Sequence, residues 1–275
     1  MAVYEVKDKV FIVTGGAIGL GALTVKAFLE EGAKYVACLD VDKDAGVALE
    51  AELKAKHGAN RIKFIKCDVT KDEELYGAYD TVMQEQGYVD VVVNNAGIMN
   101  DSKAMYKKAV LVNVAALITS TMKAMELMSK ENGGRGGTVV NISSETALTQ
   151  QPALPVYFAT KSAVLQFSNC IGMEPNFLRT GVRVITVCYG ATATTLLSPE
   201  KIAAFDETTN AMMKNVMTRP AMHIQSPENA IAGLVQLFKM ADSGSTWYVG
   251  KDKPAADITS SVKEAYSILT KSFSD

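Results

Sequence analysis

The chain contains very little histidine. Only His57 and His223 occur in its 275 residues, and they lie far apart with no ligand-like spacing. Metal sites built on histidine and Ser-His-Asp triads both need imidazole groups at defined positions. The sequence therefore disfavours both kinds of site, and we expect no metal.

Cysteine is also scarce, and none of it forms a Cys-x-x-Cys pair. Three of the four cysteines (Cys38, Cys67 and Cys188, but not Cys170) lie in apolar, strand-like surroundings. Buried, reduced thiols are typical of proteins in a reducing compartment. This predicts a cytoplasmic protein.

Neither sign of charge dominates, and long apolar runs are missing. With 28 Lys and Arg against 30 Asp and Glu, the formal net charge is −2, so nothing points to nucleic acid or an anionic membrane. The N-terminal MAVYEVKDKV shows no secretory pattern of a basic stretch followed by an apolar one. The longest apolar run, AVLVNVAALI, is well short of the ~20 residues that cross a bilayer, and it predicts a buried helix.

What the chain does contain is an alternation of short apolar runs with amphipathic stretches. Apolar strands separated by helices are typical of a parallel sheet covered on both faces. We predict a single α/β domain over residues 1–275, a doubly wound (Rossmann) fold with a parallel seven-stranded sheet. Long helices are expected near 103–130 and from Tyr157 to about Phe177, with an earlier end at Pro175 as the alternative. The seven predicted strands are KVFIVTGG, KYVACLDVD, RIKFIKCDVT, VDVVVNNAG, GGTVVNISS, GVRVITVCYG and STWYVG.

A glycine-rich loop joins the first predicted strand to a helix. In TGGAIGLG, glycines allow a tight turn and close approach to a pyrophosphate, which the helix N-terminus stabilises. The second strand ends at Asp40, where an acid can accept hydrogen bonds from both adenosine ribose hydroxyls and repel a 2′-phosphate. The loop contains no Lys or Arg, and Val41 follows the acid. The pattern predicts NAD rather than NADP as cofactor; the alternative is that Asp40 only caps the next turn.

The stretch PVYFATK places Tyr157 and Lys161 four residues apart after Pro155. On a helix these two side chains share a face, and an ammonium beside a phenol lowers the phenol pKa. The pair predicts a proton-transfer group. A surface helix with a half-buried Tyr and a solvated Lys remains the alternative for such a short motif.

Several signals together resemble one enzyme family. They are T-G-x-x-x-G-x-G after the first strand, NNAG after the fourth, NISS at the end of the fifth, and YFATK 13 residues after the second Ser. The chain resembles the short-chain dehydrogenase/reductase family over nearly its whole length. SKENGGRGG, PVY, GVRV and YGATATTL are most similar to the branch that holds 15-hydroxyprostaglandin dehydrogenase and the insect alcohol dehydrogenases.

The resemblance implies roles for individual residues. In the family's pattern Ser144 binds the substrate oxygen, Tyr157 is the acid/base, Lys161 binds ribose and lowers the Tyr pKa, and Asn113 holds a water for a proton relay. The resemblance also implies that Asp68 binds the adenine amino group and that Thr192 and Thr194 hold the nicotinamide carboxamide. Without the resemblance, Asp68 would be a strand-end cap, Asn113 a buried polar kink, and Thr192 and Thr194 ordinary loop residues. The cofactor-binding residues implied are Gly15, Ile18, Gly19, Gly21, Asp40, Asp68, Val69, Asn95, Ala96, Gly97, Thr192 and Thr194, together with Tyr157 and Lys161.

Two positions depart from that pattern. The sixth strand ends in Tyr189-Gly190, where the family has Pro-Gly in a loop that borders the nicotinamide. Leu154 stands where the prostaglandin enzyme carries a polar Gln, so activity on a prostaglandin hydroxyl is not assumed. The implied substrate contacts are Ser144, Leu154 and Tyr157.

The segment 196–223 lies where the family places its substrate lid, and it is rich in methionine. Met suits irregular apolar surfaces but also fills ordinary helix cores, so both interpretations stay open. As a lid, this segment predicts an apolar alcohol larger than ethanol as substrate.

We predict reversible oxidation of an alcohol to a carbonyl with NAD. The alternatives are an NADH-dependent ketone reductase and a weakly catalytic NAD-binding sensor or storage protein. A homodimer or homotetramer is expected, because the helices near 103–130 and 157–177 are apolar on more than one face and the same helices pair in the family.

Overall fold

A computed structural model describes residues 4–217 and 223–273. In these residues one sheet forms in the order β3-β2-β1-β4-β5-β6-β7-β8. Neighbouring strands run parallel except β7 and β8, which are antiparallel. The strands are β1 (Val10–Thr14), β2 (Tyr35–Asp40), β3 (Ile62–Lys66), β4 (Val91–Asn94), β5 (Gly137–Ser144), β6 (Val182–Tyr189), β7 (Thr246–Val249) and β8 (Ala256–Asp257).

The predicted doubly wound parallel sheet is confirmed, with one strand more than expected. The seven predicted strands all form, and β8 adds two exposed residues at one edge. So short a strand has no apolar run or alternation, and no pattern in the sequence therefore indicates it. The strand order reverses between β1 and β4, and in such sheets ligands bind at the carboxyl ends beside the reversal.

Helices cover both faces of the sheet. A six-residue π-helical turn, Leu111–Ala116, joins the helix Tyr106–Val110 to the helix Leu117–Met128. The helices are α1 (Gly19–Glu30), α2 (Lys43–His57), α3 (Asp72–Gln86), α4 (Tyr106–Val110), α5 (Leu117–Met128), α6 (Pro155–Ile171), α7 (Glu174–Thr180), α8 (Glu207–Met217), α9 (Pro227–Met240) and α10 (Thr259–Lys271).

The helix that carries Tyr157 ends earlier than Phe177. It stops at Ile171, and α7 starts at Glu174 with Pro175 in its first turn. Proline lacks the N–H that a helix interior needs and clashes with the preceding turn, but it fits the first turn of a new helix. The expected extension to Phe177 was wrong, and the earlier end was right.

The core lies on the two faces of the sheet. On one face, Phe11 of β1 stacks on Phe28 of α1 at a ring-centroid distance of 4.5 Å, with Phe238 of α9 beside both rings. On the other face, α3 and α5 pack against the sheet through residues such as Tyr79 and Ala124. Burial of this apolar surface is the main favourable contribution to folding.

The continuous helical run Tyr106–Met128 is long and apolar enough to cross a membrane by length and composition, with a mean hydropathy of 1.4. In its most apolar window 44% of the residues are buried inside the fold. Val112, Ala116 and Met125 are among the core residues that it contributes. The helical run therefore contributes part of its surface to the hydrophobic core beside the sheet.

A third apolar cluster lies away from both faces. It joins Tyr157 and its neighbours to the segment after β6, and we call it the lid cluster. Its buried members are Met99, Ala153, Leu154, Tyr157, Ile202, Ala204 and Met213.

Candidate active site

The glycine loop between β1 and α1 has the conformation that an anion site needs. Gly15 and Gly19 have φ angles of 61° and 56°, in the left-handed region that glycine tolerates. A methyl group on Gly21 would lie 1.9 Å from the carbonyl oxygen of Gly15, so only glycine permits this approach of helix and loop. Ile18 precedes α1 without a side-chain cap, and the first turn carries no acid. The helix N-terminus therefore presents N–H groups and positive potential to the loop.

Residues after β4 fasten this loop to the sheet. The Oγ1 of Thr14 accepts hydrogen bonds from the N–H groups of Asn95 (3.1 Å) and Ala96 (3.2 Å). In return, Nδ2 of Asn95 donates to the carbonyl oxygens of Thr14 and Gly15 at 3.0 and 2.9 Å. Asn95 and Ala96 thus hold the position of the glycine loop.

Asp40 ends β2 beside the same loop and is almost fully buried. Its Oδ2 accepts from the N–H of Ala17 and its Oδ1 from the N–H of Asp42, both at 3.0 Å. It forms no ion pair within the described ranges. The alternative that Asp40 caps the next turn thus describes part of its role. The two hydrogen bonds also hold its negatively charged carboxylate in place at the end of β2.

A groove of about 940 Å³ lies between α1, α2 and the loop after β6, and it reaches the glycine loop at Ile18 and Gly19 and the loop after β6 at Thr194. A dinucleotide needs glycines for backbone approach, a helix N-terminus for its diphosphate, and an acid for its ribose. The loop, α1 and Asp40 provide these three features, so the residues present fit NAD.

Asp68 and Val69 follow β3. The Oδ1 of Asp68 accepts from the N–H and the hydroxyl of Thr70, at 3.1 and 2.7 Å. Burial tends to raise the pKa of Asp68, but these hydrogen bonds and nearby lysines hold the pKa below its usual range. Val69 is buried in the core. The contacts of Asp68 match the strand-end cap, and the adenine contact stays a prediction.

Tyr157 and Lys161 lie one turn apart at the start of α6, as predicted, and both are almost fully buried. The Nζ of Lys161 lies 5.8 Å from the centre of the Tyr157 ring and donates to the carbonyl oxygen of Ile142 at 2.9 Å. Ser144 ends β5 and hydrogen-bonds the Tyr157 hydroxyl. The Ser144 Oγ also accepts from the N–H of Thr146 at 3.2 Å, so its single O–H is the donor that it offers to the site. The structure thus brings Ser144, Tyr157 and Lys161 together, and it does not match the alternative of an exposed surface pair.

The pKa values of this pair differ from the sequence-based expectation. Burial raises the pKa of Tyr157 to about 12, and the charge of Glu145 adds to this while the Ser144 hydrogen bond opposes it. Burial lowers the pKa of Lys161 to about 8. Desolvation disfavours the charged form of each group, and it is the largest cause of both shifts. The chain alone therefore does not lower the pKa of Tyr157.

Asn113 lies in the π-helical turn and is fully buried. Its Oδ1 accepts from the N–H of Ile98 at 2.7 Å, and its Nδ2 donates to the carbonyl oxygen of Ile98 and to Oγ1 of Thr160 at 2.8 and 3.0 Å. A methyl group on Gly97 would lie 3.6 Å from this Oδ1 and 3.7 Å from Nζ of Lys161. Asn113 and Lys161 therefore converge on Gly97.

The two predicted threonines after β6 differ in their surroundings. Thr192 is buried, and its Oγ1 donates to the carbonyl oxygen of Gly190 (2.8 Å) and accepts from Nε2 of Gln225 (2.9 Å). A methyl group on Gly19 would lie 4.0 Å from the Cβ of Thr194. Thr194 is thus the threonine that faces the glycine loop.

Leu154 immediately precedes α6 and belongs to the lid cluster. Within the described residues, the expected lid contains a short 3-10 turn, Thr195–Leu197, and α8. Residues 218–222 of that expected segment lie outside the described residues. The segment after β6 thus packs an apolar surface against the ring of Tyr157.

Sequence reasoning missed three polar residues at this edge of the sheet: Asp101, Glu145 and Gln225. Asp101 is 1% exposed, and its carboxylate accepts from the N–H groups of Val156 (2.7 Å) and Tyr157 (3.0 Å). A capping acid normally precedes its helix directly. Asp101 caps α6 from 55 positions away, so no local pattern could reveal it.

A family model described as short chain dehydrogenase matches residues 9–203. The chain belongs to this family. The expectations of an enzyme and of an oxidoreductase of this family are confirmed by the match.

Short-chain dehydrogenases of known activity are similar to much of the chain. The 15-hydroxyprostaglandin dehydrogenase [NAD(+)] of Homo sapiens is 35% identical over 193 residues, which are 70% of this chain and 71% of that protein. Alcohol dehydrogenase 1 of Ceratitis cosyra is 29% identical over 245 residues, 88% of this chain and 90% of that protein. The expected cofactor agrees with the name of the human relative, which specifies NAD(+).

A solved structure shares the fold. The crystal structure of gox2181 superposes with a TM-score of 0.74 at 23% identity and covers 90% of this chain and 96% of its own. At that identity the likeness supports the architecture alone.

Proposed function

We propose that this short-chain dehydrogenase uses NAD to interconvert an apolar alcohol, secondary and larger than ethanol, with its carbonyl compound. One observation carries the proposal. Tyr157 hydrogen-bonds Ser144, Lys161 lies one turn away, and the lid cluster covers the Tyr157 ring.

Bound NAD supplies the hydride acceptor in oxidation and, as NADH, the donor in reduction. Ser144 donates its O–H to the substrate oxygen and fixes the carbon that loses hydride. Tyr157, as phenolate, takes the proton of the substrate hydroxyl, so the alcohol becomes a carbonyl and Tyr157 becomes neutral. In reduction Tyr157 returns that proton.

Lys161 serves Tyr157 in two ways. Its ammonium stabilises the phenolate, which burial alone makes costly. Its pKa of about 8 also lets it release a proton close to neutral pH, so it can carry the proton away from Tyr157. Both polar atoms of the Asn113 side chain already form hydrogen bonds, to Ile98 and Thr160. We therefore assign the relay water to the backbone of the π-helical turn that contains Asn113.

The assignment of NAD rests on Asp40. A fixed carboxylate at the end of β2 suits two ribose hydroxyls and repels a phosphate. We assign the diphosphate to the loop from Gly15 to Gly21 and the nicotinamide amide to Thr194. The hydroxyl of Thr192 is already occupied by Gly190 and Gln225.

The substrate class follows from the lid cluster. Leu154, Met99 and Met213 give the side of Tyr157 an apolar surface, and methionine adapts to irregular ligands. Residues 196–223 act as the lid in this proposal. The names of the relatives, a hydroxyprostaglandin and an alcohol dehydrogenase, support a secondary or apolar alcohol, while the apolar Leu154 argues for a substrate without a polar group there.

The proposal is tested by following NADH absorbance with the protein, NAD and a panel of alcohols. The panel runs from ethanol to secondary alcohols of increasing length, with the matching ketones and NADH for the reverse reaction. We expect turnover to rise with apolar size. NAD binding by calorimetry with no turnover on any alcohol or ketone would instead support a sensor or storage protein.

We further propose a cytoplasmic homo-oligomer that pairs through the helices from Tyr106 to Met128 and α6. Val110, Leu111 and Met122 leave 41%, 51% and 50% of their surfaces exposed on the first of these helices. Light scattering should return at least twice the chain mass of 29.5 kDa at micromolar concentration. A monomer under those conditions would contradict the pairing.

A further inference from the structure

The loop after β6, residues 190–194, lacks the proline that its family pattern places before Gly190. Tyr189 occupies that position as the last residue of β6. Proline fixes its own φ and restricts the residue before it. Without it, the course of this loop has to be set by other contacts.

Glu145 makes such contacts. It follows Ser144 directly and is half-buried. Its Oε1 accepts a hydrogen bond from the N–H of Ala191, and its Oε2 accepts one from the hydroxyl of Tyr248, both at 3.2 Å. One carboxylate thus connects the end of β5, the loop after β6 and the middle of β7.

Gly190 packs tightly under this connection. A methyl group on Gly190 would lie 3.1 Å from the Tyr248 hydroxyl and 3.4 Å from Oε2 of Glu145. The N–H of Gly190 donates to the carbonyl oxygen of Val249 at 2.9 Å. The start of the loop therefore has little room to move while Glu145 and Tyr248 are in place.

The other side of the loop is held by Gln225. The N–H of Gln225 donates to the carbonyl oxygen of Ala191 at 2.8 Å, and the N–H of Ala193 donates to that of Gln225 at 3.0 Å. Beyond Ala193 the loop reaches Thr194, which faces the glycine loop. The loop therefore extends from the neighbour of Ser144 to the expected diphosphate site.

The charge of Glu145 strengthens its role. No Lys, Arg or His forms an ion pair with it in the part of the chain that the structure describes. Hydrogen bonds to an ionised acceptor are about twice as strong as neutral ones. Both hydrogen bonds are long at 3.2 Å, so the charge of the acceptor adds to contacts that their length leaves modest.

We propose that Glu145 is a positioning residue that fixes the loop from Gly190 to Thr194 against the end of β5 and replaces the missing proline. In this way it sets the distance between Ser144 and Thr194, between which the nicotinamide part of NAD would lie. The inference rests on the proposed function, because it needs a cofactor along this loop.

The test compares Glu145→Ala, Glu145→Gln and Tyr248→Phe with Glu264→Ala, a control at an exposed acid of α10 that forms no ion pair among the described residues. Calorimetry gives the Kd of NAD, steady-state kinetics give kcat and KM, and thermal unfolding gives Tm. Glu145→Ala should raise the Kd and KM for NAD about tenfold and lower kcat, since it loses hydrogen bonds to a charged group. Tyr248→Phe should raise the Kd about threefold.

Glu145→Gln should restore the Kd to within about threefold of the wild type. Its amide oxygen can accept from Ala191 and its amide N–H can donate to the hydroxyl of Tyr248. A variant that merely weakened the fold would lower Tm without this rescue.

Three results would overturn the inference. The first is a Kd for NAD and a kcat of Glu145→Ala that both stay within twofold of the wild type. The second is a Kd for NAD that rises as much in Glu145→Gln as in Glu145→Ala. The third is an unchanged Kd for NAD in Tyr248→Phe. If Glu145→Ala does not fold, the other two variants decide. If the wild type and the Glu264→Ala control both fail to bind NAD, the proposed function itself fails and this inference falls with it.

Discussion

The carboxylate of Asp101 accepts a hydrogen bond from the backbone N–H of Tyr157 at 3.0 Å, across 56 positions of sequence. The N–H of Asp101 in turn donates to the carbonyl oxygen of Ala203, in the segment that forms the lid cluster. One buried acid therefore fixes the first turn of α6 and joins it to the cover of Tyr157. Burial raises the pKa of Asp101, while the N–H groups of Val156 and Tyr157 oppose that rise.

Asp101→Asn should lower kcat by about tenfold or more and leave the Kd of NAD nearly unchanged. An amide offers one acceptor oxygen to two N–H groups, so the first turn of α6 shifts, and displacements of about 1 Å can cost up to 10²-fold in rate. Kinetics and NAD calorimetry on the same preparation check this. Equal losses in kcat and in NAD affinity would instead indicate general damage to the fold.

Tyr157→Phe should abolish turnover while NAD binding stays nearly the same. The ring still packs in the lid cluster, and only the hydroxyl that handles the proton is removed. Loss of acid/base help costs on the order of 10²–10⁴-fold. Near wild-type rates for this variant on its best alcohol would exclude Tyr157 as the acid/base.

Lys161→Met should change how stability depends on pH. The folded pKa of Lys161 is about 8, below the ordinary 10.5, so between these values the unfolded chain binds a proton that the folded chain does not. Wild-type stability therefore gains from this group as pH rises through that window, and the cost of the buried ammonium is fully present below pH 8. Relative to the wild type, the free energy of unfolding of Lys161→Met should be most favourable at pH 7, and this advantage should disappear by about pH 10.

Paired unfolding curves of wild type and Lys161→Met at pH 7, 8, 9 and 10 measure this difference directly, because other titrating groups cancel. A difference that does not change with pH would mean that the folded pKa of Lys161 is not lowered. The same variant should also lose activity and NAD affinity, since the positive charge at Tyr157 is gone.

Asp40→Ala should raise the KM for NAD far more than the KM for NADP. The variant loses the acceptors for the ribose hydroxyls and the repulsion of a 2′-phosphate. It also loses the hydrogen bond to Ala17, so Asp40→Asn is the matched variant that removes the charge and keeps an acceptor. Asp40→Asn should shift the preference in the same direction by less, whereas a wild-type preference for NADP would contradict the cofactor assignment.

Tyr189→Phe should stabilise the protein. The Tyr189 hydroxyl is buried, and no partner is found for it among the described residues, so the phenol oxygen is desolvated without compensation. Such a group costs about 1–3 kcal/mol. We expect Tm to rise by roughly 2–4 °C for each kcal/mol recovered.

The matched control for that variant is Tyr79→Phe. Tyr79 is also buried, but its hydroxyl lies 2.9 Å from the carbonyl oxygen of Ser120 and 2.8 Å from the Oγ of Ser120. Removing this hydroxyl should lower Tm. If both variants lower Tm, Tyr189 has a partner in solution.

The sequence by itself determined the parts of this protein that depend on local pattern. Seven apolar strands, the glycine loop, the acid at the end of β2, and the Tyr157–Lys161 pair all follow from spacing along the chain, because strand and helix periodicities fix which neighbours share a face. Those residues also carry the family resemblance, and the fold and family it implied were confirmed.

Only the tertiary structure decided what depends on residues far apart in sequence. Asp101 contacts the first turn of α6, and Glu145 contacts the loop after β6, because the sheet brings distant segments to one edge. Hydrogen bonds between residues so far apart in sequence leave no local pattern. Burial decided the direction in which the pKa values of Tyr157 and Lys161 shift, and the spacing of residues along the chain does not indicate how deeply they are buried. A charged group in a low-dielectric interior is costly whatever its neighbours in sequence, and the depth of that interior is a property of the folded chain.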